Sequence, residues 1–552
     1  MSNKKLNKED LVFLPLGGSN EIGMNVNLYH YNGKWIIIDL GAGFAGDDFP
    51  GADMLAPDLS FVYENKKDFL GIVLTHGHED HLGAVGWLYE KLQLPIYATP
   101  FTAQIVENKL EQVGMKGKAK VKIINPGSRF NLGDFDLELI QITHSIPEMN
   151  GIMLRTPVGN IFHTGDWKFD PNPVVRPTTD FNKLEAIGKE GVLAMVCDST
   201  NVFNDRFSGS EGDLEESLTK LIGEQRGTVY VSTFASNVAR IETICKAAMA
   251  NKRKVALAGL SLHKITKFAK NTGYLKDIEP FINDTDVKNL PRDRVLVICT
   301  GCQGEPNAAL TKLANGENQY LKITAKDTVI FSSKIIPGNE KKIFAIMNKF
   351  VRLKCEVFTE KDRRVHVSGH PSSEELTRMY ELVKPQIAIP VHGEPVHIHE
   401  HIKLAKRIGV PKNVEIQNGE MVRISGENPE SLKHIKFGYL GVDGYMLQPK
   451  DGAVMAVRRK LRENGIIIVS FTLNQKGKLV SDIIVKSPGS VDENENQEFI
   501  TYLIDGVAEI VETNAKTDED KLIKKIRRHV KDVFDKELNK NPIVEICINR
   551  LD

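Results

Sequence analysis

At 552 residues the chain is too long for a single compact core, so it must divide into two or more domains. Lysine plus arginine and aspartate plus glutamate stand at 72 each, and the formal net charge of +0 excludes a global basic field as the means of drawing in nucleic acid. Any such contact has to come from a local groove. Hydrophobic residues at 41%, charged residues at 26%, a polar start (Met1 to Asp10) and only short apolar runs describe a soluble globular chain. No signal peptide or membrane span is expected, and the expected compartment is the cytoplasm.

The first strong element is Lys34-Trp-Ile-Ile-Ile-Asp39, a strand whose terminal Asp39 is placed to orient other ligands from behind rather than to bind metal. Leu70-Gly-Ile-Val-Leu-Thr75 follows as a buried strand. It runs into His76-Gly77-His78-Glu79-Asp80-His81 and then into a helix over Leu82 to Tyr89. On an extended backbone residues two apart share a side, so His76 and His78 can grip one ion together. Asp80 and His81, where the chain turns into the helix, aim at a second ion. Imidazole and carboxylate suit zinc or manganese, and paired metals are a known arrangement for phosphoester hydrolysis.

Further ligands stand at the ends of other predicted strands. Phe135 to Ile142 leads to His144, and Gly159 to Asp166 delivers a carboxylate with two oxygens, able to bridge two ions. Gln386-Ile-Ala-Ile-Pro-Val391 ends in His392. His163 is expected to pack or hydrogen-bond beneath the site.

Residues 1 to about 205 read as strand-rich with few helices. From Gly227 strands and helices alternate (228–233, 239–250, 254–258, 294–299, 328–331), the pattern of a parallel sheet flanked by helices. Because His392 belongs with the earlier ligands, this part must leave the first domain and return to it. The expected division is 1–207 and 373–440 for the metal domain, 208–372 for the insertion, 441–455 for a linker and 456–552 for a small α+β domain. That last domain contains a hairpin around Asn474-Gln-Lys-Gly477 and a closing strand over Ile543 to Ile548. The basic run Lys521 to His529 alternates with isoleucine at helical spacing and reads as a solvated helix face. The six cysteines, dispersed and mostly in apolar strand-like contexts, read as buried thiols, and Cys299-Thr-Gly-Cys302 lacks the second pair a zinc site needs.

An Asp, the HxHxDH run, a His, a second Asp and a final His, in this order, resemble the five motifs of the metallo-β-lactamase superfamily. The resemblance narrows to the β-CASP nucleases, and among them to the ribonuclease J family, through Leu14 to Gly23, Asp198-Ser-Thr-Asn201, Thr233 to Asn237, Thr300 to Pro306, Phe331 to Glu340, His366-Val-Ser-Gly-His370 and Pro390 to Glu394. It implies a metallo-β-lactamase αββα sandwich with an inserted β-CASP α/β domain, and two divalent ions, zinc before manganese or magnesium. Their ligands would be His76, His78, Asp80, His81, His144, Asp166 and His392.

It further implies a 5′-to-3′ exoribonuclease with endoribonuclease activity in rRNA processing and mRNA decay. Hydroxide held by two metals would attack, with Asp80 able to orient it, and leave 5′-phosphate products. Asp198 and His370 are linked to protonation of the leaving oxygen. His, the commoner proton shuttle, is favoured as donor, with Asp198 tuning it. His366, Val367, Ser368, Gly369 and His370 would bind the 5′-monophosphate of single-stranded RNA, with 301–304 and Ser332-Ser333 as secondary candidates. The C-terminal domain would support a homodimer or homotetramer, and an RNA degradation complex is an implied partner.

Three positions depart from the family pattern: Leu260 stands where Arg is usual, Cys302 where Ser is, and Ala239 where His often is. The missing Arg puts one phosphate or RNA contact in question. Two rival readings are another hydrolase of the superfamily, acting on a thioester or lactam, which would lack the insertion and the His366/His370 cluster, and a non-catalytic RNA-binding scaffold.

Overall fold

A computed structural model of the chain describes residues 4–175, 177–514 and 517–551; Met1 to Asn3 of the polar start lie outside them. The chain forms two compact units, one of Met1–Gly43 with Ala56–Gly438 and one of Phe44–Leu55 with Tyr439–Asp552.

In the first unit, an eight-stranded and a seven-stranded sheet face each other. Side chains alternate across a strand, so Phe13, Tyr29, Ile36, Ile38 and Val73 of one sheet meet Leu137, Leu139, Ile152, Leu154, Val196 and Ile389 of the other in one apolar core. The far side of the seven-stranded sheet is covered by helices Phe181–Glu190, Ser373–Val383 and Pro395–Arg407, which bury Leu184, Ile187, Leu376, Met379, Tyr380, Leu404 and Ala405. With helices Val85–Leu92 and Pro100–Gln112 after strands of the eight-stranded sheet, this is the metallo-β-lactamase sandwich. The first 205 residues therefore hold more helix than their sequence suggests. Helix Pro100–Gln112, for example, mixes buried Phe101, Ile105, Val106 and Leu110 with polar neighbours too evenly to stand out.

Strand Ala194–Asp198 pairs in parallel with Ile387–Val391, almost two hundred residues on, so that Asp198 lies opposite Val391. Between them the chain builds the β-CASP insertion. Its five parallel strands run in the order Lys254–Ala258, Val295–Cys299, Val229–Ser232, Thr328–Phe331, Glu356–Phe358. The three inner strands are buried on both faces, the edge strand Lys254–Ala258 is buried except at Lys254 and the edge strand Glu356–Phe358 is exposed to half-buried; each matches or lies within one residue of the predicted strand where one was predicted.

In the second unit, Ile466–Leu473 is the centre of a three-stranded sheet, antiparallel to Ile484–Lys486 and parallel to Ile543–Arg550. The turn at Asn474 to Gly477 forms as predicted, but only a bridge at Leu473–Leu479 precedes the return strand, which starts at Ile484. Helix Glu519–Leu538 buries Leu522, Ile526, Val530 and Phe534 and turns Lys521, Lys524, Lys525 and Arg528 outward, as the helical spacing demands. The stretch 441–455, expected to be a linker, carries strand Met446–Pro449, paired with Tyr439–Asp443, and the start of helix Ala453–Asn464. These strands are short and largely half-exposed, which leaves little alternation to read. Among the described residues no helix is long and apolar enough to cross a membrane.

Candidate metal centre

Parallel pairing sets the site. Ile38 is in register with Val73, which places Asp39 and Thr75-His76 together beyond one sheet. In the other sheet His163 is in register with Val196, and Asp198 with Val391, which gathers Asp166, Asp198 and His392 at one edge. Open α/β sheets bind ligands at the carboxyl ends of their strands. His144 joins from the turn after Phe135–Gln141. Asp80 and His81 occupy the first turn of Glu79–Leu82. Asp39 and His392 adopt left-handed backbone, at φ 64° and 54°, a strain that non-glycine residues carry where surrounding contacts enforce it. One such contact is His392 N–H to Gly18 O at 2.6 Å.

The seven predicted ligands fall into two sets that share one carboxylate. His76, His78, His144 and Asp166 bring donor atoms within 4.8 Å of one another, as do Asp80, His81, Asp166 and His392. A third set, Asp166, Asp198 and His370, adjoins them.

Hydrogen bonds behind the rings decide which nitrogen faces inward. Thr75 Oγ1 donates to Asp39 Oδ2 (2.8 Å) and so can only accept from His76 Nδ1–H (2.9 Å). Thr200 Oγ1 donates to the carbonyl of His392 (2.9 Å) and accepts from Nδ1–H of the same residue (2.8 Å). His81 Nδ1–H donates to Asp39 Oδ2 (2.7 Å), and His144 Nδ1–H to Gly369 O (2.7 Å). All four rings thus aim Nε2 at the centre. This is how partners behind a metal-binding histidine fix its tautomer.

In the first set, Nε2 of His76 and Nε2 of His144 each stand 3.1 Å from Nδ1 of His78. Three imidazole nitrogens meet there with at most one proton among them. Burial holds His76 and His144 well below the ordinary range and His78 at about 4, so these rings are neutral. In the second set burial acts the same way but loses to charge. The carboxylates of Asp166, Asp80 and Asp39 hold His81 well above its usual value, and Asp166 with Asp80 raises His392 to about 9. His81 Nε2 lies 3.1 Å from Asp166 Oδ2 and 3.0 Å from the Asn25 amide, and His392 Nε2 lies 3.1 Å from Asp80 Oδ2. Asp166 Oδ1 is buried without a hydrogen-bond partner. Convergent lone pairs in the first set, and in the second two imidazoles whose Nε2 protons a cation would displace beside a carboxylate oxygen that accepts no hydrogen bond, fit the residues to divalent metal.

His370 Nδ1 lies 2.7 Å from Asp198 Oδ2. Burial alone would depress His370, but the Asp198 carboxylate outweighs it and raises the ring above its ordinary value. The loop carrying His370 is tightly committed. Ser368 Oγ accepts from His370 N–H (3.1 Å), and Asn201 and Ser208 side chains donate to His370 O. Gly369 fits because a Cβ there would lie 3.0 Å from His144 Cε1. Val367 is buried, its side chain packed beside Gly209, so only its backbone could meet a ligand.

Of the secondary candidates, Ser332 is spent on Val365 O and Arg240, and Gln303 on Lys334 O and Ile336 N–H. His163 hydrogen-bonds Tyr29 (2.9 Å) and belongs to none of the ligand sets. Five cysteines are buried, and burial pushes the Cys302 thiol up to about 12, which keeps it protonated. Leu260 is 72% exposed at the start of helix Leu260–Asn271. Thr75, Thr200, Asn25 and Arg240 were missed in the sequence; only the adjacency of Thr75 to His76 and of Thr200 to Asp198-Ser199 offered a signal.

Four family models match: "Metallo-beta-lactamase superfamily" over residues 22–232, "Ribonuclease J, beta-CASP domain" over 226–350, "Zn-dependent metallo-hydrolase RNA specificity domain" over 357–416 and "Ribonuclease J C-terminal domain" over 453–551. Ribonuclease J of Sinorhizobium meliloti is 39% identical over 98% of this chain and 98% of its own length. Ribonuclease J of Thermus thermophilus is 35% identical over 84% and 82%, and Ribonuclease J2 of Bacillus subtilis 34% identical over 93% of each. A crystal structure of a protein of unknown function from Enterococcus faecalis V583 shares the fold at a TM-score of 0.53, with 15% identity over 75% of this chain and 99% of that one. With its sandwich, insertion and C-terminal domain all matched in order, the chain belongs to the ribonuclease J family.

Proposed function

We propose that this chain is a metal-dependent ribonuclease that removes nucleotides from the 5′ end of single-stranded RNA, also cuts internally, and leaves 5′-phosphate products. The observation that carries this is the pair of ligand sets sharing Asp166, in a chain whose relatives are named ribonuclease J. His76, His78 and His144 would hold one ion and Asp80, His81 and His392 the other, with Asp166 between; zinc is preferred, manganese or magnesium the alternatives. When bound, the two ions supply a water activated at neutral pH and offset the charge of the scissile phosphate.

The remaining steps belong to the protein's own groups. Asp80, half-buried beside His392, is placed to orient the attacking water. His370, whose charged form the neighbouring Asp198 carboxylate favours, is placed to hold a proton at Nε2 and pass it to the departing 3′ oxygen as the P–O bond breaks. Backbone N–H groups of Ser368 and Gly369, with the His366 ring, form the pocket for a terminal 5′-phosphate, whose size limits each exonucleolytic step. Contacts to 2′-hydroxyls would separate RNA from DNA. Self-association through residues 456–552, membership of an RNA degradation complex and a cytoplasmic location complete the reading.

The test uses RNA labelled at its 5′ end and carrying either a monophosphate or a triphosphate. Release of labelled mononucleotide from the monophosphorylated substrate alone is expected. Equal internal cutting of both would remove the pocket from the account. Undiminished turnover by His76→Ala would remove the metal mechanism, whereas wild type that binds RNA but neither takes up metal nor cleaves it would favour a scaffold.

A further inference from the structure

We propose that Arg240 is a positioning residue that fixes His366 as a neutral ring with its proton on Nε2, ready to donate to the substrate's terminal phosphate. This rests on the reading of residues 366–370 as a phosphate pocket, and it assigns that pocket a support outside the loop itself.

Arg240 sits in the first turn of helix Val238–Ala250 and is completely buried. A buried guanidinium is tolerated only when its charge and its donors are matched. Glu211 supplies the charge, gripping Nε and Nη2, the latter at 3.0 Å. Nη1 then reaches Ser332 O and Ser332 Oγ, both at 2.8 Å, Val365 O at 3.2 Å and His366 Nδ1 at 3.4 Å. The two Nη1 protons serve Ser332 first and graze the other two acceptors. The long contact to Nδ1 nevertheless decides the tautomer, because guanidinium offers no acceptor and would repel an Nδ1–H. His366 therefore turns a lone pair to Arg240 and carries its proton on Nε2. Burial, with the positive charges of Arg240, Lys168 and Lys334, keeps the ring neutral.

The same arginine ties the loop to the metal domain. Glu211 N–H donates to Asp170 Oδ2 (2.9 Å), and Asp170 N–H donates to Thr143 Oγ1 (3.0 Å), one residue before His144. Lys168 Nζ donates to Gly209 O (3.0 Å). Both crossings of the insertion, 208–211 inward and 365–370 outward, thus meet at one buried ion pair.

Removing Arg240 alone would strand Glu211 and could prevent folding, so the test uses Arg240→Met/Glu211→Met, in which neither charge remains. KM and kcat are measured on oligoribonucleotides with a 5′-monophosphate or a 5′-hydroxyl. The expected result is a KM for the phosphorylated substrate raised roughly tenfold relative to that for the hydroxyl one, the worth of one charge-assisted hydrogen bond. Arg240→Lys, which keeps a donor cation facing Nδ1, should restore part of that ratio. A folded double variant with an unchanged ratio overturns the proposal.

The tautomer is also read directly in the wild type, by ¹⁵N NMR of histidine-labelled protein with His366→Asn for assignment. A neutral ring protonated at Nε2 supports the proposal, and a charged ring or an Nδ1–H tautomer at neutral pH overturns it, whether or not the double variant folds. Wild type that cleaves neither oligomer defeats the ribonuclease reading instead, and the NMR result still decides the role of Arg240.

Discussion

The two halves of the candidate metal centre are built from opposite electrostatics. Around His76, His78 and His144 burial dominates, and three neutral rings point lone pairs at one another. Around His81 and His392 the carboxylates of Asp80 and Asp166 dominate, and the rings are drawn towards the charged form. On the proposed reading the first half, with nitrogen and little charge, would suit zinc, and the second, with two carboxylates, would also accommodate manganese or magnesium. Asp166 is the one residue that serves both.

The largest effect should follow from breaking that shared residue. Asp166→Asn removes the one carboxylate common to both sets, and elemental analysis should find both sites depleted. RNA cleavage should fall to about a thousandth or less, since a Lewis acid stabilises developing charge by several kcal/mol. Depletion of one site alone would show that the halves are independent.

Next in size is Gly41→Ala. A Cβ at Gly41 would overlap the carbonyl oxygen of Asp80 and lie 2.6 Å from Asn25 N, both rigid backbone. The loop bearing Asp80 must move, and misplacement by about 1 Å costs on the order of a hundredfold in rate. Metal analysis should show loss confined to the Asp80 side, which turns the chemical contrast between the halves into a measurable one.

What the sequence revealed of this centre depends on how local each signal was. The His76–His81 run, the parallel insertion and the seven side chains that the structure gathers into the candidate metal sets were all readable, because strand ends and potential ligand types lie within a few residues of each other. The settings behind them were not. Thr75 and Thr200 set the inward nitrogens of His76 and His392 through hydroxyls that are ordinary in sequence. Arg240 lies 126 positions from His366 and meets it only because helix and loop converge. The same holds for the strands near 440–449, which pair too briefly to show a period.

Thr200→Val probes one such setting. It keeps the shape of the side chain but deletes the hydroxyl that accepts from His392 Nδ1–H, whereas Thr75 is untouched. Partners of this kind are worth roughly ten- to a hundredfold in metal affinity. Titration of metal-free protein should therefore show one weakened site, with cleavage recovering at saturating metal. Weakening of both sites would mean that the halves communicate through Asp166.

Gly369→Ala should have the smallest effect, and it reaches the histidine-rich half from the loop that also forms the proposed 5′-phosphate pocket. Its Cβ would lie 3.0 Å from Cε1 and 3.3 Å from Nδ1 of His144, closer than van der Waals contact but against a ring rather than backbone. A shift of a few tenths of an ångström relieves it. If 1 Å of misplacement costs about a hundredfold, a third of that costs on the order of threefold to fivefold. The ring cannot retreat freely, because Nδ1–H is bonded to Gly369 O itself, so the alanine pushes and holds the same side chain. The loss should appear in kcat, and zinc should be retained less well than manganese, since the affected half is the one rich in imidazole. A variant that instead loses manganese first would reverse the assignment of the two halves.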